Sequence, residues 1–405
     1  MRLRILLLSL AISACAARTP GGLSRVSPEE AGMDPEILCK VDSVILKNIS
    51  GGMTPGAVIS VVRGDKIAYL KAYGNRQVVP DTLRMTPETV FDLASVSKCV
   101  GTTISIMQLI ECGRIGLCDK VKRYIPEFAP WTDTNTREQV DITVRDLLTH
   151  SSGLSPYLDV DAVSERYGEP CPDSTMTYIA AEVKRNFRPG TDFMYSCLNF
   201  VTLQNILQRV TGERLCDYAQ REVFDRLGMK HTCYLPEETR PDLLPLIAPT
   251  TVQADGLPLL GRVHDPLARR LNGGNSGNAG VFSDAEDLSV IAAAILGGGE
   301  VCGRRVLKPE TVRLMATVPE ENDPSVGRAL GWDVSSSHSS PNGHLTTPSR
   351  TLCHTGYTGP SMVIDLEAGF AVVLLANRVH PEDDGSLKEM RAAVSDIVAS
   401  AVIRR

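Results

Sequence analysis

The sequence predicts an α+β fold: one antiparallel sheet formed by the N- and C-terminal segments, flanked by helices, with a mostly helical middle lobe. Three observations predict it. Two β-rich runs lie at 57–62 and 66–73, strand character returns from residue 330, and the long stretch between them alternates helical segments with loops rich in proline and glycine, with few strand runs to interrupt it. A chain of 405 residues exceeds the size at which one hydrophobic core usually stops growing. The economical organisation is a leader and short linker in 1–24, then one domain in 25–403. Its sheet lobe takes about 25–95 plus 325–403, and its helical lobe about 96–324.

Each element has a local reason. The opening "MRLRILLLSLAISAC" carries two arginines, an apolar stretch from Ile5 to Ile12, and small residues, the pattern of a secretory leader too short to span a membrane comfortably. Its run Ile12-Ser13-Ala14-Cys15 resembles a bacterial lipobox, which makes Cys15 the lipidated first residue of a tethered mature protein; the alternative is an ordinary cleaved leader with an unrelated cysteine. Either reading places the protein outside the cytoplasm, in the cell envelope or periplasm.

A helix is expected from Pro28 to about Lys47. The runs Ala57–Val62 and Lys66–Tyr73 form a hairpin through Arg63-Gly64-Asp65. Ser95 to Cys112 reads as a largely buried helix stopped by Gly113, because Ile104, Met107 and Ile110 recur at helical spacing. Strands are expected at "LGWDV", "CHTGYTG", "SMVIDL" and "FAVVLLANR", before a closing helix from about Ser386 to Ile403.

Composition excludes several classes of function. With 43% hydrophobic and 22% charged residues the chain is an ordinary globular protein rather than a disordered one. Its net charge is −6, and removing Arg2 and Arg4 with the leader makes it two units more acidic, so nucleic acid is not an expected partner. Eleven cysteines include no C-x-x-C pair, and Cys112 and Cys118 lack nearby histidines. A zinc site is not expected, and each cysteine is read as a buried small hydrophobe.

The chemistry concentrates in "FDLASVSKCVGTT". Three residues on a helix turn about 300° and rise about 4.5 Å, so Ser95 and Lys98 meet on one face. A serine hydroxyl needs a proton acceptor, and a lysine desolvated by apolar neighbours can have its pKa lowered enough to serve. The helix N-terminus adds a positive dipole end and a free N–H at Ser95 for a developing oxyanion. About 100 residues on, Tyr195 in "PGTDFMYSCLNF" follows a turn and precedes an apolar helix; beside an ammonium its phenolate is favoured, which suits a proton shuttle. In "LCHTGYTG", Thr355 and Gly356 are read as strand residues. Gly356 leaves room for a close approach to the backbone, and the Tyr357 N–H is a second oxyanion donor.

In order and spacing these three clusters resemble the serine β-lactamase and penicillin-binding protein superfamily, and within it the class C β-lactamase-like serine hydrolases, with S-x-x-K, Y-x-N and K-T-G or H-T-G motifs. The likeness extends over roughly 25–403, through "PGAVISVV", "ITVRDLLTHSSGL" and "VHDPLARRLNGGNSGNAGVFSDAEDL". The resemblance implies a β-lactamase/transpeptidase-like fold, Ser95 as acylated nucleophile, Lys98 as its proton acceptor, and Tyr195 as the group that protonates the leaving atom and later activates water. It implies His354, Thr355 and Gly356 as substrate-lining residues, the Ser95 and Tyr357 N–H groups as the oxyanion hole, and neither metal nor cofactor. An ester or peptide-type amide, such as a cell-wall peptide or muropeptide, is the implied substrate. The alternatives are a catalytically weak penicillin-binding or sensing module, and a true β-lactamase.

Two positions depart from the family pattern. Cys197 stands where Y-x-N has its amide, and Asn199 is offset by two residues. His354 replaces the lysine of K-T-G, and a mostly neutral imidazole is a weaker anchor for a carboxylate. Both favour ester or peptide hydrolysis over efficient β-lactam hydrolysis. His150, His264 and Asp265 invite a Ser-His-Asp triad, but the lysine already supplies a base, and His150 is read as structural. "GGNSGNAG" lacks the phosphate-loop ending and is read as a tight loop near the cleft. Trp131 and Trp332 are read as packing residues.

Overall fold

The computed structural model describes residues 22–403; the leader, with Cys15, lies outside the described residues. The main sheet has seven strands: β1 (Ser24–Arg25), β2 (Gly56–Arg63), β3 (Lys66–Gln77), β4 (Leu83–Arg84), β5 (Thr351–Thr355), β6 (Ser361–Asp365) and β7 (Phe370–Ala376). Across the sheet they run β1-β3-β2-β7-β6-β5, with β4 paired to the end of β3. Strands from the two ends of the chain thus meet at the β2–β7 pair. Every pairing is antiparallel except β1–β3, a short parallel edge that the sequence pattern does not show.

The alternation along β2 explains why it reads as a nearly continuous apolar run. Val58 and Val62 face a core shared with α4 (Ala285–Leu296), while Ala57, Ile59 and Val61 face a second core with α1 (Lys40–Ser50) and α5 (Lys388–Ala401). Both faces are covered, so no polar face is needed. The one polar residue on the α4 side, Ser60, is matched by Ser289 of that helix at 2.8 Å.

Several local expectations are refined. Helix 28–47 is a turn followed by Pro35–Leu38 and α1; Asp34 caps the first piece, accepting the N–H groups of Glu36 and Ile37. The Ser95–Cys112 segment is not one regular helix: a 3₁₀ turn (Ala94–Val96) leads into a π-helical stretch (Lys98–Thr103) and then α2 (Ile104–Glu111). "LGWDV" forms no strand; Asp333 makes only isolated bridges, to Arg328 and Cys353. β5 ends at Thr355, so Gly356 lies just beyond the strand. Of the ten described cysteines none forms a disulfide, and Cys39, Cys112, Cys118 and Cys302 are exposed, which corrects the uniformly buried reading. Among the described residues, no helix is long and apolar enough to cross a membrane.

Candidate active site

The site is built on a strained connection. After the short strand Phe91–Asp92, Ala94 takes φ +43°, a left-handed conformation costly for a residue with a Cβ. The Asp92 carboxylate holds this turn, accepting the Ala94 N–H at 2.8 Å and the His264 N–H at 2.7 Å. Burial pushes its pKa up to about 6, against the lowering effect of those two N–H groups. Gly356 packs beneath the same turn: a Cβ there would lie 2.4 Å from the Leu93 carbonyl. That is the close approach the glycine permits. Among the described residues, neither the Ser95 nor the Tyr357 backbone N–H donates to a protein acceptor, so both remain free for a ligand.

Lys98 is fully buried and every donor on it is used. Its Nζ donates to Ser95 Oγ at 2.9 Å, to the Asn278 carbonyl at 2.8 Å and to Cys197 Sγ at 3.5 Å. It also lies 5.1 Å from the centre of the Tyr195 ring. Burial disfavours its charge, but the negative charges that Cys197 and Tyr195 can carry outweigh it and hold the lysine above its ordinary pKa. Burial alone acts in the expected lowering direction, and it is an ionised Cys197 or Tyr195 that turns the balance upward. Burial in turn raises Tyr195 and Cys197, while the lysine beside them lowers both, so the three groups titrate as one coupled cluster. Ser95 and Lys98 lie close enough to Tyr195 to favour its phenolate, yet neither makes an aligned hydrogen bond to its buried hydroxyl.

Tyr195 sits between the end of one loop and α3 (Cys197–Thr211), whose first residue is Cys197. The thiol therefore occupies the place beside the lysine that the family motif gives to an amide. Asn199 does not substitute for it: its amide is turned to His150 Nδ1 (3.1 Å) and the Ser152 hydroxyl (2.6 Å). The Ser-His-Asp alternative is not assembled among the described residues: His150 Nδ1 accepts the Ser196 backbone N–H at 3.1 Å, and the His264 ring stacks on Tyr357 at 5.8 Å. The glycine-rich loop does reach the cleft, because its Asn278 carbonyl is one of the three acceptors of Lys98.

Ser95 opens into a cavity of about 270 Å³ lined with Tyr195, Arg328, His338, His354 and Thr355. His354 Nδ1 lies 2.9 Å from the Thr355 carbonyl, which assigns the proton to that nitrogen. Burial, with Arg328 and Lys98 nearby, pushes its pKa well below the ordinary histidine value, so the imidazole is neutral. Cations of this wall are Arg328, Arg378 and Arg391; Arg328, 1% exposed, binds Asp333 at 2.8 Å through Nη1 while its Nε and Nη2 find no partner among the described residues. Arg391 holds the turn after β5, donating to the Gly359 carbonyl at 2.6 Å; burial pushes its pKa down to about 10. Tyr357, 58% exposed, stands at the mouth with its hydroxyl on Asp383 and the Arg378 guanidinium 4.5 Å above its ring. Sequence reasoning missed Arg328, Asn278 and Arg391.

The beta-lactamase family model matches residues 45–396. The chain belongs to that family. Family relatives include an Escherichia coli K12 protein provisionally named D-alanyl-D-alanine carboxypeptidase, 29% identical over 395 residues, covering 92% of this chain and 89% of its own. Another is the Bacillus subtilis N-acetylmuramyl-L-alanine amidase, 29% identical over 409 residues with 92% and 90% covered. Among solved structures, EstCE1, a hydrolase with promiscuous acyltransferase activity, superposes with a TM-score of 0.68 at 25% identity, over 91% of this chain and 99% of its own. A penicillin-binding protein homologue from Caulobacter crescentus, at 18% identity, shares the fold with a TM-score of 0.69, over 91% and 99%. As a beta-lactamase-family member with hydrolase relatives, the chain is a serine hydrolase.

Proposed function

We propose that Ser95 is the acylated nucleophile of an exported hydrolase that cleaves an ester or peptide-type amide whose departing side carries a free carboxylate, as at the end of a cell-wall peptide. The observation that carries this reading is the 2.9 Å contact between Ser95 Oγ and Lys98 Nζ at the wall of a cavity also lined by Arg328, whose guanidinium is only partly paired. Once the lysine–tyrosine pair has lost one proton, it accepts the Ser95 proton as Oγ attacks the carbonyl carbon. The oxyanion then meets the Ser95 and Tyr357 N–H groups. Tyr195 returns the proton to the leaving nitrogen or oxygen, and the same pair later deprotonates the water that frees Ser95. Thr355, Gly356 and His354 line the departing side, with Arg328 as the charge for a carboxylate.

The names of the two curated relatives, a peptidase and an amidase of cell-wall material, support this substrate class, and the leader-like first fourteen residues support an envelope location. Lipid anchoring rests on Cys15 alone. The test is intact-mass spectrometry after exposure to a p-nitrophenyl ester and to a peptide ending in two D-alanines. A transient adduct absent in Ser95→Ala, with release of D-alanine, is expected; turnover persisting in Ser95→Ala sinks the proposal. Cys197 in the amide position favours a second reading, a penicillin-binding module of slow turnover. It predicts an adduct that persists for hours without product.

A further inference from the structure

His150 is tied to both neighbours of Tyr195. Its backbone carbonyl accepts the Met194 N–H at 3.0 Å, and its ring Nδ1 accepts the Ser196 N–H at 3.1 Å. A backbone N–H can only donate, so Nδ1 carries a lone pair and the ring proton is on Nε2. The Asn199 amide, oriented by the Ser152 hydroxyl, adds a second donor to the same nitrogen. The ring itself lies against the Tyr195 ring, centroids 4.4 Å apart and planes inclined by 31°, and His338 stacks on the tyrosine at 5.4 Å. His150 takes φ +56° to present carbonyl and ring to the same strand of chain. The Tyr195 hydroxyl has no hydrogen bond of its own to locate it. Its position is therefore set by the clamp on the flanking peptides and by the stacked rings.

We propose that His150 is the positioning residue for Tyr195: it holds the phenol where it can pass a proton between Ser95 and the leaving group. This rests on the role proposed above for Tyr195. A residue that acts only through Tyr195 has no effect once the phenol is gone, and it matters most for leaving groups that need a proton.

The experiment measures acylation of the full chain by p-nitrophenyl butyrate and by phenyl butyrate, whose leaving group is the more basic. His150→Ala is expected to lower the acylation rate constant about thirtyfold for the phenyl ester and less for the p-nitrophenyl ester, with half-saturating concentrations unchanged within about twofold. His150→Asn, which keeps an acceptor at the δ position and tolerates positive φ, recovers most of the rate. In a Tyr195→Phe background His150→Ala changes the rate less than about twofold. Equal loss in the Ala and Asn variants, equal loss on both esters, or the full loss recurring in Tyr195→Phe overturns the proposal. A Tyr195→Phe enzyme as fast as the parent overturns the role of Tyr195 instead. Should His150→Ala fail to fold, His150→Gln fills the site without the δ acceptor and takes its place in the same comparisons.

Discussion

Lys98 and Arg328 are both cations buried in the wall of one cleft, and they are partnered in opposite ways. The lysine spends its three donors on Ser95, Asn278 and Cys197. The arginine is paired through one nitrogen to Asp333 and leaves two others unsatisfied. Burying a charge without full compensation costs several kcal/mol as an order of magnitude, and a carboxylate brought to the open donors of Arg328 would recover part of it. A closed set of partners suits a proton exchanged within the protein. An open set suits a negative group brought by the substrate. The substitutions that separate these two uses span the whole range of expected effects.

The largest effect belongs to the lysine. Lys98→Met keeps the volume and removes the exchangeable proton, and acylation of Ser95 should fall by at least about 10³-fold on every substrate, because members of one relay fail together. Burst kinetics with an activated ester measure it. A loss below tenfold would mean that another group takes the serine proton.

Next is pH. The lysine is held above its ordinary pKa, so its protonated form dominates at neutral pH and the base is scarce. Raising the pH removes that proton, and kcat/KM should climb by about tenfold per unit from pH 7 to pH 9. His150 and His354 are both held well below the ordinary histidine value and stay neutral throughout, so they add no step to that limb. A profile already flat at pH 7 would show that Lys98 is neutral in the free enzyme and that the anionic forms of Cys197 and Tyr195 do not govern it.

Arg328→Met should discriminate between substrates. For a peptide with a free terminal carboxylate, kcat/KM is expected to fall about 30- to 100-fold, the worth of a charge-assisted hydrogen bond in a dry site, while a neutral p-nitrophenyl ester loses less than about threefold. Converting the peptide's carboxylate to an amide should then cost the parent enzyme heavily and the variant little. Equal losses on ester and peptide would assign Arg328 to holding the Asp333 turn, where that carboxylate also accepts the Ser336 N–H at 3.1 Å.

The same pair of cations shows which parts of the site a sequence displays. Ser95 and Lys98 are three residues apart, and their meeting follows from helical geometry even though the segment turns out to be 3₁₀ and π-helical rather than regular. The two-ended sheet was legible for a similar reason, since β2, β3, β6 and β7 each carry their own strand signal and hairpin chemistry. Arg328 had no such signal. Its surroundings, "GRALGWDV", look like a strand, and its burial depends on Asp333 five residues on and on the rings of Phe193 and Tyr195, each 5.9 Å from its guanidinium carbon. Asn278 acts through a backbone carbonyl, to which any residue type would contribute, 180 positions from its partner. Long-range contacts of that kind leave no periodicity to read. The direction of the Lys98 shift was missed because the sequence reading weighed apolar burial alone and did not count the negative charges that Tyr195 and Cys197, at the start of α3, can carry beside the lysine.

The smallest effect tests whether the closed partner set of Lys98 limits the chemistry. A thiol at 3.5 Å accepts weakly and offers one poor donor, whereas an amide could accept from the ammonium and donate to a substrate carbonyl at once. Cys197→Asn should therefore raise acylation by a fluorescent penicillin about three- to tenfold, the worth of one neutral hydrogen bond of about 1 kcal/mol, while esters that offer no amide to position change less than about twofold. The substitution also removes the thiol as a potential negative neighbour of Lys98, which shifts the rising limb of the pH profile toward lower pH. If both substrates gain equally and the limb stays in place, the thiol affects neither substrate positioning nor the lysine, and the protonation of Lys98 is governed by Tyr195 alone.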